Sequence, residues 1–295
     1  MINQEKPEEI RLEQRFFIER IRQKYGHILS SHGFVNLFLW KEQMNLQVLI
    51  RDDAFFVKTG LEGSDIWFFP CGEKRDTLTF IEHHMEKSSF GMVYLREEDK
   101  DLLEECFPGR FLFSAMPESD EYIFERAELE QLSGPKFANV RNQVNRLFRE
   151  HEILCRSYTE ADEAAVWEFL NHLEETIHRP GYHMLTDRRI PQLAMTNRNE
   201  LGLHLVTVWA DGALSGVSMG FPLTLDTMDG CVERHIPSIH GLSCFTQMSL
   251  IRKAPPQYRY MNGEEDLGLA GLRTMKRHMN PCRMNRIWQA DIKYT

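Results

Sequence analysis

Residues Tyr260 to Pro281 read YMNGEEDLGLAGLRTMKRHMNP, which sets Glu264, Glu265 and Asp266 among Gly263, Gly268 and Gly271 and follows them with Arg273, Lys276 and Arg277. Three chemistries use such ingredients. A calcium loop needs oxygen ligands at alternating positions and a closing bidentate carboxylate. Here the acids are consecutive and no Glu closes the loop. A phosphate cradle fits better, because Gly268 and Gly271 precede or open a helix whose free amides and positive end favour an anion. GLAG nevertheless lacks the spacing of the common nucleotide-binding fingerprints. The plainest reading is a helix start capped by Asp266, with acids at the positive end and Arg273, Lys276 and Arg277 toward the negative end. Those three cations, spaced by three and four, share one helix face beside the acids. The expected site is bipolar: carboxylates hold an ammonium while guanidinium and ammonium groups hold a phosphate or carboxylate. That charge separation suits an amino acid esterified to a phosphate-bearing carrier.

Working outward, YRYMN reads as the strand feeding this turn, and the AspGly pair in LHLVTVWADGALSGVSMGF marks a tight hairpin at Asp211 and Gly212. HEILCRSY and CVERHIPSIHG are further strands, and QMSLIRKA is a helix. Thr159 is the candidate cap of an amphipathic helix over 160–177. A longer helix spans 135–151, with Gly134 and Pro135 breaking the chain before it. It reads as a hinge. In the first half, helical spacing over 7–29 gives way to a β-rich meander turning at Asp52 and Asp53, and FVNLFLW (34–40) reads as core. Strands and helices alternate throughout, so the fold class is α/β. The chain divides into an N-terminal domain (1–134), a linking helix (135–151) and a C-terminal domain (152–295) that carries the site.

The chain has 295 residues, 42% of them hydrophobic and 27% charged, with a formal charge of −9. An acidic chain is not a general phosphate-tracking surface, so no DNA partner is expected and any polyanion must meet a local basic patch. The linking helix offers one, with Lys136, Arg141, Arg146 and Arg149 interleaved with Asn139, Asn142 and Asn145. Six cysteines without a CxxC pair read as reduced cytosolic thiols. The charged N-terminus carries no apolar signal core, and no run reaches the ~18 apolar residues of a membrane span. The protein is therefore expected in the cytoplasm. Glu175 and His178 have di-iron spacing without a second copy, and His83 and His84 lack an HExxH pattern, so no metal is expected. Cys244, in HGLSCF, reads as a buried structural thiol rather than a nucleophile.

Several stretches together resemble the C-terminal aminoacyltransferase domain of phosphatidylglycerol lysyltransferase and its soluble relatives. They are FVNLFLWKEQMNLQVLIRDDAFFV, YIFERAELEQLSGPKFANVRNQVNRL, WADGALSGVSMGF and, most specifically, the 260–281 run with Asn262, Glu265, Asp266, Leu267, Gly268, Gly271, Leu272, Arg273, Lys276 and Pro281 in order. The resemblance implies a tandem GNAT-superfamily fold, two mixed sheets flanked by helices, and transfer of an amino acid from aminoacyl-tRNA to a lipid headgroup, peptide or small-molecule acceptor. Neither a metal nor a covalent intermediate is implied. Carried onto this chain, Glu265, Asp266, Arg273 and Lys276 are the candidate catalytic residues, and Asn262, Gly268, Arg141, Asn142 and Arg146 the candidate substrate-binding ones. Partners implied are aminoacyl-tRNA and peripheral contact with a membrane, without a transmembrane segment. Two other readings stay open: an N-acyltransferase using acetyl-CoA or another acyl-CoA, against which stands the missing Gln/Arg-x-x-Gly-x-Gly loop, and a non-catalytic ligand-binding relative.

Overall fold

The computed structural model describes residues 6–51, 53–60, 65–87, 89–176, 187 and 189–293. Asp52 of the expected turn, Ile177 of the expected helix and His178 of the Glu175/His178 spacing lie outside them. In chain order the first elements are β1 (Glu8–Glu9), α1 (Arg15–Lys24), α2 (Phe34–Trp40), β2 (Gln47–Arg51), β3 (Ala54–Thr59), β4 (Asp65–Phe68), β5 (Cys71–Gly72), α3 (Lys74–His84), β6 (Phe90–Leu95), α4 (Glu97–Cys106) and β7 (Phe111–Ala115). Next come β8 (Glu121–Glu125), α5 (Arg126–Gln131), α6 (Ala138–Glu150), β9 (Ile153–Ser157), α7 (Glu163–Thr176), α8 (Ile190–Thr196), β10 (His204–Ala210), β11 (Ala213–Pro222) and β12 (Thr227–His235). The chain ends with α9 (Leu242–Lys253), β13 (Tyr260–Asn262), α10 (Ala270–His278), β14 (Arg283–Asn285) and β15 (Trp288–Ile292). This is the expected mixed α/β class: two mixed sheets flanked by helices.

Contacts divide the chain into two compact units, Met1–Glu121 with Asn285–Thr295, and Tyr122–Met284. That division departs from the expected boundaries at 134 and 151. The helix read as a hinge, α6, lies wholly inside the second unit, and the C-terminal strand β15 returns to the first. The reason is packing: Val140, Val144 and Leu147 form a buried stripe on α6 that packs into the second unit's core and against α9. Burying such side chains stabilises by about 1.5–3 kcal/mol each.

In the first unit the strand order is β1-β2-β3-β4-β6-β15-β7, with β5 added to β3. Only the β4·β6 pairing among those described is parallel. FVNLFLW behaves as read, with Phe34 through Leu39 all buried on α2. The interior also holds polar groups: Arg22 donates to the His27 carbonyl at 2.8 Å, and the His27 and His32 ring centres lie 3.8 Å apart with the planes tilted by 31°.

The second unit is a sheet ordered β14-β8-β13-β12-β11-β10-β9. Its β10–β11 hairpin turns at Asp211 and Gly212, whose φ angles of 51° and 81° are both left-handed, as a two-residue turn of the primed type requires. Thr159 occupies the expected N-cap position, and the side chain that bonds back there is Asp162, whose Oδ2 accepts from the Thr159 amide at 2.9 Å and hydroxyl at 3.0 Å. The parallel pair β12·β13 sets the site. It extends only over Thr227–Asp229 against Tyr260–Asn262, whereas β12 runs on to His235. From Gly230 onward that side of β12 therefore has no strand partner among the described residues.

Candidate functional site

After Asn262 the chain leaves β13 and turns back before entering α10. The turn is built from unusual backbone: Glu264 and Leu267 have φ angles of 57° and 52°. Such left-handed conformations cost roughly 1–2 kcal/mol at non-glycine residues and are kept where surrounding contacts hold them. The contacts are specific. The Asn262 side chain is fully buried and its Oδ1 accepts from the Glu264 amide at 2.8 Å. Gly263 lies so close to Phe124 that a Cβ there would come within 2.7 Å of Cε2.

Asp266 is fully buried and fully engaged. Its Oδ1 accepts from the Gly268 amide (2.9 Å) and Arg273 Nη2 (2.9 Å), and its Oδ2 from Arg273 Nε (2.8 Å) and the Tyr122 hydroxyl (2.6 Å). Burial raises the Asp266 pKa, but the Arg273 guanidinium, Tyr122 and the Gly268 amide outweigh it and hold the carboxyl below its ordinary value. This corrects the expected cap. The residue before α10 is Leu269, with no side-chain cap, and Asp266 instead joins the turn, the helix and β8 in one ion-paired knot.

Lys276 is also buried. Its Nζ donates to the carbonyls of Gly263 (2.6 Å) and Glu265. Burial lowers its pKa, opposed by Glu265, Glu264, Glu233 and Asp266. Glu265 shifts the other way: burial raises it, and Lys276 opposes the rise. The expected open basic face is therefore not what forms. Arg273 and Lys276 turn onto their own loop, and Arg277 is left exposed on the helix surface. The Gly268 amide, a candidate for an anion, is used by Asp266.

Nearby on β12, Glu233 lies with Oε1 3.3 Å from His235 Nδ1. On α9, Gln247 is buried with Oε1 unpaired within the protein, and its Nε2 is 3.2 Å from where a Gly263 Cβ would sit. Cys244, also on α9, is pushed up to about 11 by burial, which keeps it a thiol and supports its structural reading. Tyr122, Glu233 and Gln247 are residues that the sequence reading did not single out. The remaining candidates hold local structure: Arg141 donates to the carbonyls of Leu132 (2.5 Å) and Gly134 (3.0 Å), and Arg146 pairs with Glu150 at 2.7 Å. Asn142 is exposed on α6.

Chemically, four carboxylates (Glu233, Glu264, Glu265 and Asp266) act on Lys276, and Arg273 neutralises only Asp266. The arrangement is acidic in net terms, with one carboxyl pushed toward the neutral form, and is suited to receive a cationic group. Among the described residues no group of three or more His, Cys, Asp or Glu side chains is placed to hold a metal ion, and no helix is long and apolar enough to cross a membrane.

The structure is similar to a conserved protein of unknown function from Bacteroides thetaiotaomicron, at 26% identity over 97% of this chain and 99% of that one, with a TM-score of 0.83. It shares its fold with the C-terminal domain of a putative lysylphosphatidylglycerol synthetase from Agrobacterium fabrum (14% identity, 96% and 92% covered, TM-score 0.62). It does so equally with L-PGS from Bacillus licheniformis (13% identity, 99% and 95% covered, TM-score 0.63). No curated protein matches the chain. Residues 22–288 match the family described as phosphatidylglycerol lysyltransferase, C-terminal, and the chain belongs to that family.

Proposed function

We propose that the protein transfers an amino acid from aminoacyl-tRNA to a hydroxyl or amine acceptor, a lipid headgroup, peptide or small molecule, in the cytoplasm. The observation that carries this reading is the acid-rich cluster around Lys276 at the place where β12 outruns β13. An aminoacyl ester brings an α-ammonium, and Glu233, Glu264 and Glu265 supply the charge to hold it. In the transfer the acceptor's oxygen or nitrogen bonds to the ester carbonyl carbon, the bond from that carbon to the ribose oxygen breaks, and the acceptor's proton ends on the ribose oxygen.

Within this reading Asp266 has no lone pair to spare and serves as a positioning residue for α10. Glu265 is the better candidate for moving the proton, since a carboxylate raised by burial is a stronger base than an ordinary one. Lys276 uses two of its three N–H donors on main-chain carbonyls, which leaves one for the developing oxyanion. The test uses the purified full chain, a set of charged tRNAs, and phosphatidylglycerol vesicles or soluble amines as acceptors. Labelled amino acid should leave tRNA and appear on an acceptor, at a rate reduced about 100-fold or more in Glu265→Gln. Deacylation no faster than in that variant, together with saturable binding of acetyl-CoA, would replace this reading by the acyl-CoA one.

A further inference from the structure

In the first unit, two histidines sit where a proton is hardest to place. Among the described residues only His27 and His32 are buried histidines, at 3% and 0% exposure, and both lie on the segment that joins α1 to α2. Their ring centres are 3.8 Å apart. His32 is bonded through the Phe69 carbonyl and the Ser31 hydroxyl and packs near Phe68 of β4 and Phe55 of β3. His27 has no such support: neither ring nitrogen has a hydrogen-bond partner or surface open to water. The charged groups around the pair are two guanidiniums with their own carboxylates. From α1, Arg22 Nη2 meets Glu19 at 2.7 Å while Nη1 donates to the His27 carbonyl. At the start of α4, Arg96 meets Asp99 at 2.8 Å and Glu98 at 2.6 Å. On β5, burial pushes the Cys71 thiol up to about 12 and keeps it neutral. On β8, Glu121 accepts from the Ser30 amide and hydroxyl, each at 2.7 Å, and from Asn285 at 2.8 Å.

We infer that the pair is an acid latch: the first unit opens as a separate step by taking up two protons from water, one on each imidazole, while the second unit stays folded. Among the described residues no hydrogen bond or ion pair joins a carboxylate to either ring, because Glu19, Glu98, Asp99 and Glu121 are engaged elsewhere. A proton on one ring would instead face Arg22, Arg96 and the other ring, and an unmatched buried charge is strongly disfavoured. Burial first, then His32, Arg96 and Arg22, hold His27 well below its ordinary value, and burial brings His32 down to about 3. Both folded values lie below the unfolded value near 6.5, so the open state binds more protons and acid favours it. Opening also gives the His27 ring the water hydrogen bonds that it lacks when closed. The second unit has no buried histidine among its described residues, so the same acid does not act on it in this way. Glu265 and Lys276 take no part, and the latch stands independently of the proposed transfer.

The experiment is amide hydrogen exchange of the full chain between pH 7 and 5, read by mass spectrometry, with each rate divided by the intrinsic rate at that pH. Between pH 6 and 5, above the ordinary carboxyl range, uptake of two protons should raise the opening constant of amides in 27–39 about 60-fold. Uptake of one, as in His27→Leu or His32→Gln, should raise it about eightfold. Amides of β10, β11 and β12 should show no such rise. The slope of the unaltered protein reports the number of protons by itself, so a variant that fails to fold does not remove the decision. The inference is overturned by a rise of tenfold or less in the unaltered protein, by an equal rise in β10 to β12, or by an unchanged slope in both variants.

Discussion

Asp266→Asn separates an anchoring carboxylate from a reacting one. The carboxylate is fully buried and receives four hydrogen bonds, two of them from Arg273, whose side chain is 35% exposed. Asparagine keeps the shape but presents one oxygen and one NH₂, so either the Arg273 Nε and Tyr122 pair or the Gly268 and Arg273 Nη2 pair loses its acceptor. Removing one partner of a buried ion pair costs about 3–5 kcal/mol. The lower end applies, because Arg273 can turn to water. Arg273→Met should cost less than Asp266→Asn, since Asp266 then keeps Tyr122 and the Gly268 amide. The double variant should cost less than the sum, with a coupling of about 1–2 kcal/mol. Urea unfolding at pH 7 measures all three; at a slope of roughly 1–3 kcal/mol per molar, Asp266→Asn moves the midpoint by at least about 1 M. Because Asp266 titrates lower folded than unfolded, its stabilisation is present above the unfolded value near 3.9 and is lost as pH falls through the folded value. A cost for Asp266→Asn below about 1 kcal/mol, or one equally large in the Arg273→Met background, would refute the anchoring role. Lost transfer with stability unchanged would make Asp266 a reacting group instead.

Other parts of the molecule give sharp expectations. In the first unit, His32 is wholly buried, with Nε2 2.8 Å from the Phe69 carbonyl and Nδ1 3.1 Å from the Ser31 hydroxyl, and burial lowers its pKa to about 3. With an unfolded value of 6.5, the unfolded state binds more protons between pH 6.5 and 3, so stability is complete above that window and falls by about 3 kcal/mol at pH 4. His32→Gln should flatten the curve of unfolding free energy against pH by that amount, and parallel curves would contradict it. Gly263→Ala drives a methyl into Phe124 and should cost about 1–3 kcal/mol in thermal or urea unfolding, partly restored by Phe124→Leu. Transfer activity, if Glu265 moves the proton, rises with pH through the raised Glu265 pKa, and Glu265→Gln removes that rise; a profile identical in both proteins contradicts the assignment. Cys244, a buried thiol at about 11, should resist iodoacetamide in the native protein at pH 8 and react on unfolding, as followed by mass spectrometry.

Local patterns carried much of the fold. The AspGly turn, the buried run of α2, the Thr159 cap and the strand–turn–helix order of 260–278 are all written in short-range chemistry, where spacing and turn residues decide the backbone. What spacing does not carry is partnership. Arg273, Lys276 and Arg277 do share the spacing of one helix face, yet the preceding loop folds back so that its own carbonyls and Asp266 take two of them. Tyr122 meets Asp266 across 144 positions of sequence, and no periodicity marks it. The same limit moved the unit boundaries: α6 and β15 are assigned by long-range packing, which a break at Gly134 and Pro135 does not reveal.

The internal use of Arg273 and Lys276 changes what the cluster can recognise. If both cations were open, the site would be balanced and would take an anion as readily as a cation. With Arg273 spent on Asp266, the fields of Glu233, Glu264 and Glu265 still act on Lys276. Two unit charges 4 Å apart interact by about 4 kcal/mol at an effective dielectric constant of 20, so an excess of this kind is not tolerated passively. It can be met by a proton on Glu265, whose pKa burial already raises, or by an incoming cation. The two compete. Binding of an α-ammonium should therefore lower the Glu265 pKa and release a fraction of a proton, so that calorimetric heats measured with an aminoacyl ester differ between buffers of different ionisation enthalpy. Glu265→Gln removes the titrating group and with it the buffer dependence, whether or not any transfer follows.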